Sequence, residues 1–89
     1  MSPKLIRDLK SLVKSHTAAD LIIAAEMLKD ETRNRIFMLL GDGPLCVADI
    51  CTKLKLSQPT VSHHLGLLRI RRMVDANRRG KQVFYSLAM

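Results

Sequence analysis

Residues 45–68, LCVADICTKLKLSQPTVSHHLGLL, leave this chain few ways to fold. Apolar residues at Val47, Ile50, Cys51 and Leu54 recur at helical spacing and define one buried face. Lys55, Leu56 and Ser57 then form a tight turn, with Leu56 pointing inward as a plug between two helices. Ser57 stands where an N-cap belongs, and Pro59 falls in the first turn, where its missing N–H is not needed. The second helix buries Val61, Leu65 and Leu68 and leaves Gln58, Thr60, Ser62 and His63 free. Ser, Gln, Thr and His all bond base edges or phosphates, and a leading turn built from them is what a helix-turn-helix presents to a DNA major groove.

The flanks supply the rest of such a fold. Residues 2–15 read as a basic amphipathic helix, with Leu5, Ile6, Leu9, Leu12 and Val13 as its apolar stripe and Lys4, Arg7, Lys10 and Lys14 opposite. So small a domain offers that stripe little core to join, and residues 1–16 are expected to form a dimerisation helix. Thr17 is the expected N-cap of a helix over 18–28, with Leu21, Ile22, Ala25 and Leu28 on its inner face. Asp30 caps a further helix over 31–40, which turns Ile36, Phe37, Leu39 and Leu40 inward and Arg33 and Arg35 outward. The run Gly41-Asp42-Gly43-Pro44 ends it. Leu45-Cys46 is a short extended piece, with Cys46 at the N-cap of the next helix and Asp49 three residues on.

After Leu68 the pattern continues as helix through Arg72, so that the helix-turn-helix spans 45–71. Two strand-like runs follow, 73–77 and 82–87, joined by Arg78-Arg79-Gly80-Lys81 as a hairpin with a basic tip over 73–87. The expected fold is mainly α with a small β-hairpin (α+β), a winged helix-turn-helix in a single domain over residues 1–89.

Composition agrees. Aromatic residues are only 3% of the 89 against 47% hydrophobic, so the core is aliphatic, which suits packed helices. A formal charge of +7 favours a polyanionic partner. Two cysteines do not suggest a disulfide framework, and no apolar run approaches the ~20 residues of a membrane span. With no targeting signal legible, the expected compartment is the cytoplasm. There is no glycine-rich phosphate loop, no nucleophile–base–orienter set and no inward pair of carboxylates, so the chain is not expected to be an enzyme, and no cofactor or small-molecule substrate is implied.

Three segments resemble the ArsR/SmtB family of bacterial winged-helix repressors. Residues 28–36, LKDETRNRI, are similar to that family's Ala-Leu-(Ala/Ser)-Asp-Pro-Thr-Arg-x-Arg-Ile signature, with Glu31 in place of the usual proline. Residues 45–50, LCVADI, resemble the Leu-Cys-Val-Cys-Asp-Leu segment of its metal-sensing members, and 57–68 with 74–87 match its recognition helix and wing. The resemblance implies a homodimer that binds an imperfect inverted repeat in duplex DNA and represses transcription. It also implies a Cys-x-Cys pair and a C-terminal helix carrying dimer contacts and a zinc site. Ala48 replaces the second cysteine, and Met89 follows directly on the wing. The trigonal thiolate site is therefore incomplete, the usual inter-subunit zinc site is not expected, and the first helix is expected to carry more of the dimer interface.

Expected DNA contacts are Ser57, Gln58, Thr60, Ser62, His63 and Arg69 on the recognition helix and Arg78, Arg79 and Lys81 on the wing. His63 and His64 are adjacent and diverge by ~100°, which makes them poor joint metal ligands; His64 is expected to pack beside Leu68 or contact backbone. Cys46 has two readings. A thiol at a helix N-terminus is favoured as thiolate and could respond to a thiophilic metal or an oxidant, whereas Asp49 opposes ionisation and free cysteine packs well as a small hydrophobe. Cys51 lies ~140° around the helix from it and is expected in the core. The competing function from another class is a protein-interaction module that keeps the scaffold without reading DNA.

Overall fold

The computed structural model describes Pro3 and residues 18–88. Among the described residues, four helices, α1 (Ala18–Met27), α2 (Glu31–Leu40), α3 (Val47–Leu54) and α4 (Gln58–Ile70), precede or flank three strands, β1 (Leu45–Cys46), β2 (Val74–Arg79) and β3 (Gln82–Leu87). The strands form one antiparallel sheet in the order β1-β3-β2. The expected 1–16 helix, with Leu5, Ile6, Leu9, Leu12 and Val13, and the expected cap at Thr17 lie outside the described residues.

Helices α2, α3 and α4 enclose a core whose most deeply buried side chains are Phe37, Ile36, Ile50, Leu65, Leu68, Val61 and Val74. Each contributes roughly 1.5–3 kcal/mol by leaving water. Leu56 packs against this cluster from the turn, as a plug should, and Cys51 joins it too. Asp30 caps α2, accepting the Arg33 N–H at Oδ1 (2.9 Å). That hydrogen bond, followed by the nearby Arg33 charge, holds the Asp30 carboxyl below its ordinary value.

Several expectations are corrected. On α1 the buried residue is Ala24, with Leu21 half-buried, whereas Ile22 is 66% exposed and Ala25 is exposed. Met27 and Leu28 pack beside Ala24, so Leu28 lies on the expected inner face while Ile22 and Ala25 do not. Leu39 turns inward as expected and packs against the core, but stays half-buried. Arg33 does not point outward: it is half-buried, and its Nε donates to the Met27 carbonyl (2.9 Å), tying α2 to the end of α1.

Helix α4 ends at Ile70 rather than at Arg72. Arg72 takes a left-handed conformation (φ 58°), and the N–H of Met73 donates to the Leu68 carbonyl (2.9 Å) while that of Arg72 donates to Arg69 (2.9 Å). This is a Schellman stop, and its usual hydrophobic contact is provided by Met73 and Leu68, both in the core. Met73 thus closes the helix instead of opening the strand. The hairpin turn is also tighter than expected. Arg78 and Arg79 belong to β2, Arg79 pairs with Gln82, and only Gly80 and Lys81 turn the chain. Gly80 sits at the first central position with φ 63°, which suits a type II′ turn.

Candidate nucleic-acid interface

Helix α4 is set against the core by Val61, Leu65 and Leu68, all fully buried. Its start is fixed by Ser57, whose Oγ accepts the Thr60 N–H (3.4 Å) and donates to Thr60 Oγ1 (2.8 Å). The two hydroxyls expected to meet DNA are therefore bonded to one another in the free protein. Thr60 is half-buried, while Ser57, Gln58, Ser62, His63 and Arg69 are exposed. At ~100° per residue, Gln58, Ser62 and Arg69 lie within ~40° of one another along one flank, His63 lies ~100° beyond Ser62, and Thr60 falls on the other flank. The expected residues thus form a broad polar surface, not a single line.

The turn before α4 is held from two sides. Lys55 closes α3 in a left-handed conformation (φ 55°, ψ 47°), and the Leu56 N–H donates to the Cys51 carbonyl (3.1 Å). Arg35 reaches across from α2, its Nη2 donating to the Leu54 carbonyl (3.2 Å) and meeting an otherwise orphaned acceptor of the last turn.

On the hairpin, alternation sends Arg78 and Arg79 to opposite faces. Arg78 Nε donates to the Gly80 carbonyl (3.2 Å) at the tip. The Arg79 guanidinium lies over the Phe84 ring, 5.4 Å from its centroid. Phe84 is on the central strand, opposite Asn77 of β2 and Cys46 of β1. Both arginines are oriented before any partner arrives, and Lys81 is exposed at the turn itself. The four-residue link drawn from sequence hid this stack. A turn placed at Gly80-Lys81 puts residues 79 and 84 diagonally on one face.

His64 is half-buried on the α4 side facing α2, its ring edge-on to that of His63 with centroids 5.2 Å apart. Its Nδ1 is buried without a hydrogen-bond partner, as is Asn34 Oδ1. Burial pushes the His64 imidazole below its ordinary value against the opposing attraction of Asp30. Hydropathy alone does not distinguish this histidine from the exposed one beside it.

Cys46 occupies the N-cap position of α3 but makes no capping hydrogen bond. It is buried, and its thiol donates to Asp49 Oδ2 (3.2 Å). Thiol and carboxylate supply two donors, fewer than a thiophilic metal takes, and Cys51 packs into the core instead of joining them. Among the described residues no group of three or more His, Cys, Asp or Glu side chains could hold a metal, and no helix is long and apolar enough to cross a membrane.

Comparison with known proteins places this arrangement. Residues 30–76 match the model of the arsR family of bacterial regulatory proteins. The chain is similar to the arsenical resistance operon repressor of Escherichia coli K12, 47% identical over 64 residues covering 71% of this chain and 55% of that protein. Among solved structures it resembles the transcriptional regulator HlyU of Vibrio vulnificus (TM-score 0.75, 30% identity, 91% of this chain and 82% of that one). It also resembles a homodimeric winged helix-turn-helix DNA-binding domain from Mycobacterium bovis (TM-score 0.72, 27% identity, 80% and 66%). The chain spans about half the length of curated relatives that it matches, 55% and 46% of two of them.

Proposed function

This chain belongs to the arsR family of bacterial regulatory proteins, with their winged helix-turn-helix fold, and on that premise we propose that it is a homodimeric DNA-binding repressor acting in the cytoplasm. The observation that carries the reading is the leading half of α4. Gln58, Ser62 and His63 stand exposed on a helix whose opposite face is locked into the core by Val61 and Leu65. In this reading α4 enters the major groove of an inverted-repeat operator, and Gln58, Ser62, His63 and the cap pair Ser57 and Thr60 read or align base edges. Arg69, Arg78, Arg79 and Lys81 take phosphates, and the apolar stripe of residues 4–13 supplies the dimer contact. Cys46, bonded to Asp49 and buried, serves structure in the resting state; an effector reaching it has to displace that bond.

The test is fluorescence anisotropy on duplex DNA from the gene's own upstream region against a scrambled duplex, over a range of salt. Arg79→Ala is expected to weaken both duplexes alike and to lower the salt slope by ~0.9, while Gln58→Ala erodes discrimination between them. Equal losses on both duplexes for both variants would refute this division of labour. A wild-type protein with no salt-sensitive duplex binding would refute the DNA reading and favour a protein-interaction module.

A further inference from the structure

Two residues other than glycine have positive φ among those described, and both are exposed and basic: Lys55 (φ 55°) and Arg72 (φ 58°). Each occupies the position just past a helix end, Lys55 after α3 and Arg72 after α4. Left-handed backbone crowds the Cβ of an L-residue, and glycine takes this position without that strain. No acidic side chain among the described residues pairs with Lys55 to compensate.

The two positions are alike in backbone and charge but differ in place. Lys55 lies two residues before the Ser57 cap, at the end of α4 that carries Gln58, Ser62 and His63. Arg72 lies beyond the other end of a 13-residue helix, about 20 Å away along its axis. We infer from its place, two residues before the cap of the recognition helix, that Lys55 is a DNA phosphate contact at the mouth of that helix; Arg72, alike in backbone and charge but at the far end, serves as the control. The inference rests on the DNA-binding reading above and adds to it a residue that neither helical periodicity nor the wing indicates. The geometry favours it: the turn is pinned by the Leu56–Cys51 and Arg35–Leu54 hydrogen bonds, so the Lys55 stem leaves a fixed backbone. A flexible lysine leaving a rigid turn reaches a phosphate with only its own rotamers to order.

The experiment compares Lys55→Gly and Arg72→Gly in the full chain, each removing one positive charge and one strained position. Both variants are expected to melt higher, by roughly 2–8 °C, the relief of left-handed crowding less the entropy of the added glycine. Only Lys55→Gly is expected to bind its duplex more weakly, about fivefold at about 0.15 M salt, with the salt slope reduced by ~0.9. Lys55→Gln should lose the same affinity without melting higher, and Lys55→Arg should keep it. Opposite movement of stability and affinity at one position is a signature that a merely structural residue does not give. Equal affinity losses for the two glycine variants would overturn the inference in favour of bulk charge. Unchanged affinity in Lys55→Gly, or a lower melting temperature, would overturn it outright. Loss of salt-sensitive binding in the wild type would instead sink the reading on which it rests.

Discussion

Ser57 caps α4 and, in the proposed reading, also meets DNA, and the two roles separate by substitution. In the free protein its Oγ accepts the Thr60 N–H at 3.4 Å and donates to Thr60 Oγ1 at 2.8 Å. Removing an N-cap serine costs about 0.5–2 kcal/mol, and a backbone bond as long as 3.4 Å puts this one at about 0.5–1 kcal/mol. For a domain of this size each kcal/mol is about 4–8 °C, so Ser57→Ala should melt about 2–8 °C lower. Asparagine and aspartate cap as well as serine, so Ser57→Asn and Ser57→Asp should melt within about 1–2 °C of wild type. On DNA the variants divide differently. Aspartate places a negative charge at the end of α4 that would enter the groove, so Ser57→Asp should lose duplex affinity most although it is as stable as the parent. Thermal melts by circular dichroism and anisotropy titrations on the same preparations provide both readings. If Ser57→Asn melts as low as Ser57→Ala, the cap is not what Ser57 contributes and the energetic reasoning fails. If Ser57→Asp binds DNA like the parent, the helix start does not face phosphate.

Three further outcomes follow from particular contacts. Burial lowers the His64 imidazole from its ordinary value, with Asp30 attracting and Arg33 and His63 repelling its protonated form. The unfolded chain therefore binds the proton more readily, so stability is full above the ordinary imidazole value of 6.5 and falls as pH drops below it. Urea midpoints between about pH 7 and pH 5.5 should decline in the parent and decline less in His64→Leu; parallel declines would refute the assignment. Gly66 lies inside α4 with open space where a Cβ would go, so Gly66→Ala should stabilise by about 0.5–1 kcal/mol in chemical denaturation. A loss of duplex affinity in that variant would show that DNA, not the core, uses the space. Gly80 has φ 63° in the hairpin turn, and Gly80→Ala should destabilise by about 1 kcal/mol and lower duplex affinity by disordering Arg78 and Arg79. Unchanged midpoints would mean that the turn adjusts freely.

Much of this molecule was legible in one dimension because its elements are local. Apolar spacing placed α2, α3 and α4, and the caps at Asp30 and Ser57 stand where their side chains can reach an N–H three residues on. The buried trio Val61, Leu65 and Leu68 follows from the helical period alone, and with it the side of α4 that remains free. What failed depended on how neighbouring elements pack and turn against one another. Ala24 rather than Ala25 faces the core, and Arg33 turned inward to donate to the Met27 carbonyl at the end of α1. Leu45-Cys46 was legible as an extended piece, but not its partner: β3 lies alongside it, pairing Leu45 with Tyr85 and Cys46 with Phe84. Likewise Arg79 found Phe84 through a turn one residue pair tighter than composition suggested. The α4 residues proposed to meet DNA were therefore set by helical period, which is a property of the local chain. Tertiary structure decided how the turn before α4 is braced, through Arg35 on the Leu54 carbonyl, and which strand Leu45-Cys46 joins, because those contacts link segments that only the folded chain brings within reach.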